Sequence, residues 1–117
     1  MGYRSDIVIC MTPEKEYEFK FLGISNAEEW PYSREVQPDS TIRYTYHGVK
    51  WYQSYPEVPE AEKWFSTIPE NTYCFIRVGE GDGYESDIEM LGDEERFGVG
   101  VSMFAEIIDE NLDPLFV

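Results

Sequence analysis

The chain has 117 residues, a length that predicts a single domain spanning residues 1–117. Hydrophobic residues make up 42% of it and aromatic residues 16%, which excludes a disordered segment and is enough for a buried core. Its 24 acidic residues against 9 basic ones give a formal net charge of −15, and a surface this negative repels phosphate. We therefore expect no direct binding to nucleic acid or to an anionic membrane.

No segment of the sequence resembles a membrane span or a secretory leader. The longest uninterrupted apolar run, Ile7 to Met11, is far shorter than the ~20 residues that a membrane helix requires. Arg4 and Asp6 precede this run, and no small-residue cleavage pattern follows it. These features predict a cytoplasmic protein with no membrane partner.

The first segment of the chain predicts a central strand. Residues 3–11 are β-prone and become apolar on both faces, as in a strand that is covered on two sides. Thr12, Pro13 and Glu14 then form a typical start of a helix. The apolar spacing over residues 13–24 fits both a helix and a strand, and we favour a short helix.

The next part of the chain predicts a loop followed by a strand. Residues 25–40 contain prolines and serines without clear periodicity, which indicates a loop with one helical turn around residues 27–30. Apolar and polar side chains alternate from Thr41 to Tyr46, as in a half-buried strand. His47 and Gly48 can then turn the chain.

The second half of the chain predicts one helix and three strands. A helix is expected over residues 58–67, where apolar residues recur at helical spacing. Residues 72–78 form a strongly β-prone segment, a shorter strand is predicted over residues 84–90, and apolar residues alternate over residues 97–103 in the last strand. Residues 113–117 are largely apolar, and we expect them to pack against the body of the protein.

This order of elements predicts an α+β fold. We expect a two-layer sandwich in which one or two helices pack on one face of a mostly antiparallel sheet of four to five strands. Cys10 and Cys74 each lie in an apolar segment and are expected to be free buried thiols; a disulfide requires that these segments are neighbours. We expect the following aromatic residues to pack in the core rather than at an interface: Tyr44, Tyr46, Trp51, Tyr52 and Tyr55.

Negative charge is concentrated in the second half of the chain. Residues 1–56 contain eight acidic and six basic residues, whereas residues 57–117 contain 16 acidic and three basic ones, a net charge of −13. The densest stretch has no cation of its own, and its acids are our candidate contact residues for a partner: Glu80, Asp82, Glu85, Asp87, Glu89, Asp93, Glu94 and Glu95. A second acidic group follows at Glu106, Asp109, Glu110 and Asp113.

Three explanations account for this asymmetry. The first is an acidic hairpin that only keeps the protein soluble. The second is a surface that a basic partner neutralises, and a nucleic-acid-binding groove is such a partner because it receives about one charge per 1.7 Å of duplex axis. The third, adaptation to high salt, predicts acids spread evenly along the chain, whereas the first 56 residues are almost balanced.

No pattern in the sequence assigns a catalytic residue, a metal site or a cofactor. The glycines of residues 79–83 do not match a phosphate-binding loop, because Tyr84 stands where the third glycine is needed and the acids repel pyrophosphate. Calcium is an alternative ligand for the four acids of residues 80–87, but the twelve-residue calcium-loop pattern does not align. His47 is the only histidine, so a zinc cluster is excluded and a surface role is favoured over catalysis.

The sequence begins Met-Gly-Tyr-Arg-Ser-Asp-Ile at residues 1–7. It continues with Val-Lys-Trp-Tyr-Gln-Ser-Tyr-Pro-Glu-Val at residues 49–58 and Tyr-Cys-Phe-Ile-Arg-Val-Gly-Glu at residues 73–80. In these segments it resembles a family of small tailed-phage and prophage proteins, whose members share this start and carry Lys-Trp-Tyr followed by a Tyr-Pro-acid-Val turn. The resemblance implies a phage origin and the host cytoplasm, and it transfers no catalytic residue. Residues 13–40 depart from the family's pattern.

The charge and the resemblance together predict a phage-encoded acidic protein that inhibits a host nucleic-acid-binding protein by presenting a DNA-like negative surface. Its partner would be a nuclease, a CRISPR effector or another defence enzyme with a basic surface. The alternative is an accessory or structural phage protein whose acids only confer solubility. A calcium-binding module or a small enzyme ranks after both.

Overall fold

The structure is a computed structural model that describes residues 3–80 and 87–116. This part of the chain contains seven strands and three α-helices. The strands are β1 (Ser5–Met11), β2 (Ser33–Val36), β3 (Ile42–Val49), β4 (Tyr73–Gly79), β5 (Asp87–Gly92), β6 (Val99–Val101) and β7 (Ile107–Asp109). The helices are α1 (Pro13–Phe19), α2 (Glu57–Thr67) and α3 (Glu94–Phe97), with single 3₁₀ turns at Gly23–Ser25 and Glu70–Thr72.

Five of these strands form one antiparallel sheet in the order β2-β3-β1-β4-β5, and β6 pairs with β7 in a separate two-stranded sheet. The fold is therefore α+β, as the sequence predicts, and β1 is the central strand. Because β1 is apolar on both faces, it is stable only where both faces are covered.

The two faces of β1 belong to two separate hydrophobic clusters. Ile7, Ile9 and Met11 are buried in the first cluster, whereas Val8 and Cys10 are buried in the second. Successive side chains of a strand point to opposite faces of the sheet, which explains this division. We call the first side the helix face, because α1 and α2 pack on it, and the second the hairpin face, because β6 and β7 cover it.

Both predicted helices are present on the helix face. α2 begins one residue before the predicted position, at Glu57, with Pro56 as its N-cap residue. Among the described residues, no helix has both the length and the apolar character needed to cross a membrane. The residues that α1 and α2 bury in the first cluster are Phe19, Val58, Ala61 and Phe65.

The hairpin face is covered by a layer that the predicted sandwich did not include. Phe97, Val99 and Ile107 are buried in the second cluster, against Val8 and Cys10 of the central strand. Leu115 and Phe116 pack on the same cluster, so the expectation that residues 113–117 pack against the body is confirmed for these two residues, whereas Asp113 and Pro114 are exposed and residue 117 lies outside the described part of the chain.

The last predicted strand, over residues 97–103, is too long and does not join the main sheet. Gly98 has a φ of 65°, a left-handed conformation that ends α3, and only Val99–Val101 pair with β7. Met103 lies in the connection between β6 and β7 and is 89% exposed. The alternating pattern therefore identifies the strand but neither its end nor its sheet.

Residues 25–40 contain a strand where the sequence predicts a loop. β2 pairs with β3 although all four of its residues are exposed, so no burial pattern marks it in the sequence. The expected turn at residues 27–30 is present, with the Trp30 amide donating to the Ala27 carbonyl over 3.2 Å. The turn predicted at residues 47–48 is not present, since β3 continues through both residues to Val49. Gly48 has a φ of 60° within the strand.

The remaining expectations concern β4 and its neighbours. Cys10 and Cys74 are Cα partners in the pair of β1 and β4, and both are free and buried. Residues 87–90, the last four of the strand predicted over 84–90, lie in β5, which continues to Gly92, whereas residues 84–86 lie outside the described part of the chain. Tyr44 and Tyr46 are buried in the first cluster, as predicted.

Candidate partner-binding surface

Six of the eight candidate contact residues lie in the described part of the chain, and Asp82 and Glu85 lie outside it. The six occupy three places on the side of the molecule where β4 and β5 pair and α3 follows. They are Glu80 after β4, Asp87 and Glu89 on β5, and Asp93, Glu94 and Glu95 at the start of α3.

The two acids of β5 are ion-paired within the chain, because Arg77 of β4 lies beside them. Arg77 donates through Nη2 to Asp87 Oδ2 over 2.9 Å and through Nε to Glu89 Oε1 over 3.1 Å. The Tyr3 hydroxyl also donates to Asp87 Oδ2, over 2.9 Å. The hydrogen bond from Arg77 is the largest cause that lowers the pKa of Asp87. These acids and Arg77 leave one net negative charge between them, so their attraction for a partner is reduced.

The acids of α3, in contrast, have no cation partner among the described residues. Asp93 accepts a hydrogen bond from the Arg96 amide over 3.1 Å and so caps the helix. Glu94 and Glu95 follow without an ion pair or a side-chain hydrogen bond to any described residue. Arg96 donates to the backbone carbonyl of Asn71 instead. Glu94 and Glu95, like Asp93 and Glu80, are therefore candidate contacts that no described cation compensates.

A cavity of about 380 Å³ lies between the segment that runs from β2 to the start of β3 and the residues at the ends of α3 and β7. Asp39 accepts hydrogen bonds from the Thr41 amide over 3.0 Å and the Thr41 hydroxyl over 2.6 Å, and these bonds lower its pKa. The cavity is net acidic, because four carboxylates and two guanidinium groups line it. These residues are Glu35, Asp39, Asp109, Glu110, Arg43 and Arg96.

This cavity brings together acids that the sequence separates widely. Asp109 and Glu110 belong to the second acidic group of the sequence, whereas Glu35 and Asp39 belong to the half of the chain that is nearly balanced in charge. Sequence reasoning missed Glu35 and Asp39 because the pairing of β2 with β3 places them there. The acidic surface thus extends beyond residues 80–95.

Arg43 is the least satisfied cation of the cavity. Its Nε is buried and has no hydrogen-bond partner among the described residues. Its neighbour across the strand pair is Cys10, whose pKa is raised to about 11 by burial although Arg43 opposes the shift. Cys10 is therefore protonated near neutral pH, and this thiol is not a nucleophile.

One pair of residues has the form of a catalytic dyad. His47 Nδ1 lies 2.9 Å from Asp6 Oδ1, and the ring of His47 stacks on Phe116 with centroids 5.4 Å apart. No hydroxyl or thiol of the described residues forms a hydrogen bond with His47. The pair therefore has no neighbouring nucleophile that His47 could activate among those residues. The described residues also contain no group of three or more His, Cys, Asp or Glu side chains that could hold a metal ion.

The buried carboxylate of Glu16 is a second site that the sequence did not indicate. Arg34 donates to it through Nε and Nη2, and the Tyr44 hydroxyl donates to it over 2.6 Å. The hydrogen bond from Arg34 is the largest cause that lowers the pKa of Glu16. The network joins α1 to β2 and β3, which identifies it as a structural element of the fold.

Comparison with known proteins adds no assignment to this surface, since no family model, curated protein or solved structure matches the chain.

Proposed function

We propose that this chain is a phage-encoded acidic protein that inhibits a host nucleic-acid-binding protein in the host cytoplasm. It acts by occupying the basic surface that otherwise receives DNA or RNA. The nuclease, CRISPR effector or other defence enzyme that fits this description supplies the cations that the chain itself lacks.

The observation that supports this proposal is the lack of internal compensation in the second half of the chain. Residues 57–117 contain 16 acids, and the ion pairs that those acids form within the described residues both use Arg77. Like charges held close together oppose folding, so they cost stability unless a partner neutralises them. A cation-lined groove that binds a polyanion offers such neutralisation.

The acids at the start of α3 and around the cavity are the principal contacts in this proposal. Glu94 and Glu95 form no ion pair with a described residue, whereas Asp87 and Glu89 share Arg77. Replacing Asp87 or Glu89 would also break an internal ion pair, so a loss of binding in those variants has two explanations. Glu94 and Glu95 are therefore the better positions for a test.

The test is capture of a binding protein from host lysate at low salt, with duplex DNA as competitor. We compare the wild-type protein with the variant Glu94→Gln/Glu95→Gln and with the control Glu28→Gln/Glu29→Gln. The control removes the same charge from two adjacent exposed acids in the other half of the chain. We expect the α3 variant to lose a DNA-binding protein that the wild type and the control retain.

Salt dependence provides the second measurement. Binding should weaken steeply between about 50 and about 200 mM salt, because cations and carboxylates at an exposed interface are screened over this range. Recovery that DNA does not compete, or a complex that is insensitive to salt, would exclude mimicry. If the α3 variant loses solubility but binds as the wild type does, the acids serve only to solvate the protein.

A further inference from the structure

The strand β5 forms one edge of the main sheet, and of the features that usually protect such an edge it carries only charged side chains, those of Asp87 and Glu89. Among the described residues it pairs with β4 alone, in a continuous register from Gly79↔Asp87 to Cys74↔Gly92. Its six residues include neither lysine nor proline, and the register contains no bulge. The opposite edge strand, β2, has four residues and lies between Pro31 and Pro38. β5 is therefore the edge that can accept another strand.

The side chains of β5 give its two faces different chemistry. Ile88 and Met90 lie opposite Val78 and Ile76, which belong to the cluster of the hairpin face, and are 44% and 39% exposed. Asp87 and Glu89 lie on the helix face, where Glu89 is opposite Arg77. The strand thus presents an apolar row on one face, and on the other face two acids followed by Leu91, which lies opposite Phe75.

We propose that the edge of β5 binds an extended segment of the partner protein, which adds to the sheet as a sixth strand. The segment alternates basic and apolar residues. Its Lys or Arg side chains lie beside Asp87 and Glu89, and its apolar side chains lie beside Ile88 and Met90. The choice of a basic partner rests on the proposed function, whereas the binding edge rests on the geometry of β5.

Charge opposes a second copy of the chain as the occupant in the registers that bring the acids of the two strands together. A second β5 would place its own carboxylates beside Asp87 and Glu89 on the same face, and like charges directly opposite each other destabilise a strand pair. Arg77 contacts Asp87 Oδ2 and Glu89 Oε1, whereas Asp87 Oδ1 and Glu89 Oε2 accept no hydrogen bond from the described residues. Each acid therefore retains one oxygen for a cation of the partner.

The probe for this inference is a capped peptide of alternating lysine and valine residues. We expect it to bind the protein and to protect β5 amides from hydrogen exchange. The variant Ile88→Lys/Met90→Lys places cations on the apolar row and should weaken binding about tenfold or more, because it removes the apolar contacts and repels the peptide. Both side chains are partly exposed, and circular dichroism checks that the fold persists.

The control is the variant Met103→Lys/Leu112→Lys, which makes the same charge change at side chains that are 89% and 75% exposed elsewhere. It should weaken binding about threefold or less, because only the net charge changes. A peptide with methylated backbone nitrogens should not bind, since it cannot complete the strand pair. Equal weakening of both lysine variants, binding of the methylated peptide, or no binding of either peptide would overturn strand addition.

The same variants separate this inference from the proposed function. If Glu94→Gln/Glu95→Gln loses the captured partner while Ile88→Lys/Met90→Lys keeps it, the partner binds through the acids and strand addition is wrong. If the peptide binds at β5 but no DNA-binding protein is recovered from lysate, the edge is a binding site and the proposed function is wrong.

Discussion

The buried carboxylate of Glu16 allows a quantitative test of how the fold is held together. Glu16 is 7% exposed, and it accepts hydrogen bonds from Arg34 Nη2 over 2.9 Å and from the Tyr44 hydroxyl over 2.6 Å. Arg34 belongs to β2, all of whose residues are exposed. The Glu16 carboxylate therefore connects the edge strand β2 to the core through Arg34 and Tyr44.

The change Glu16→Gln keeps the shape of the side chain and removes its charge. Hydrogen bonds to a charged group contribute about 1.5–3 kcal/mol each, and breaking a fully buried ion pair costs about 3–5 kcal/mol. The side chain of Arg34 is 40% exposed, so water solvates the guanidinium after the change and the cost falls below that range. We expect a loss of about 2–3 kcal/mol in the free energy of unfolding, or about 8–12 °C in Tm.

The pH dependence of this loss follows from the lowered pKa of Glu16. The ionised carboxylate stabilises the fold above its unfolded pKa of about 4.3, and this contribution disappears as the pH falls through the lower folded-state value. Urea unfolding of both proteins, followed by far-UV circular dichroism, should therefore show a difference at pH 7 that shrinks towards pH 3.

Glu18→Gln is the matched control, because Glu18 lies on the same helix but pairs with Lys15 at the surface. Exposed pairs of this kind contribute about 0–1 kcal/mol. If Glu16→Gln costs no more than Glu18→Gln at pH 7, or keeps its full cost at pH 3, the carboxylate does not stabilise the fold in the way described.

Three further predictions concern the sheet and the charge. Burial raises the pKa of Cys10 to about 11 and that of Cys74 still higher. An aromatic disulfide reagent at pH 8 should therefore label neither thiol until urea unfolds the protein, and rapid labelling of the native state would contradict this. Gly92→Ala should lower the free energy of unfolding in urea by about 2 kcal/mol or more, because the new Cβ would lie 2.2 Å from the Tyr73 carbonyl oxygen and Gly92 has a φ of 83°. Gly100→Ala is the control, since a Cβ at Gly100 would have no neighbouring atom within 4 Å. Stability should rise from about 50 to about 500 mM salt as repulsion between carboxylates is screened, and a fall in Tm would argue against net self-repulsion.

Burial patterns made much of the fold predictable. The apolar segment of residues 3–11 predicts a central strand, and β1 is buried on both faces. Helical spacing from residue 58 predicts α2. The strand β2 could not be predicted in the same way, because its four residues are exposed and what holds it is its pairing with β3 and the contact of Arg34 with Glu16. A strand whose side chains are all exposed leaves no hydrophobic pattern in the sequence from which it could be predicted.

The candidate surface was predictable in charge but not in detail. The excess of acids after residue 56 is visible in the sequence, whereas the ion pairs of Arg77 depend on the register of β4 with β5. That register places Arg77 opposite Glu89, twelve residues later, and a hairpin prediction with a different turn would separate them. The grouping of Glu35 with Asp109 around one cavity requires the tertiary structure.

The acids of β5 have two consequences that depend on each other. Asp87 and Glu89 oppose pairing of β5 with a copy of itself, which is the usual hazard of an apolar edge strand. Arg77 reduces that protection, because it compensates one of the two charges, but it also holds both carboxylates in place on the helix face. A partner strand with cations at the matching positions gains from the same ordered carboxylates that repel a second copy. In the proposed mode of binding, the same carboxylates therefore attract a basic partner strand and oppose self-pairing, and this links the charge of the chain to the geometry of its sheet.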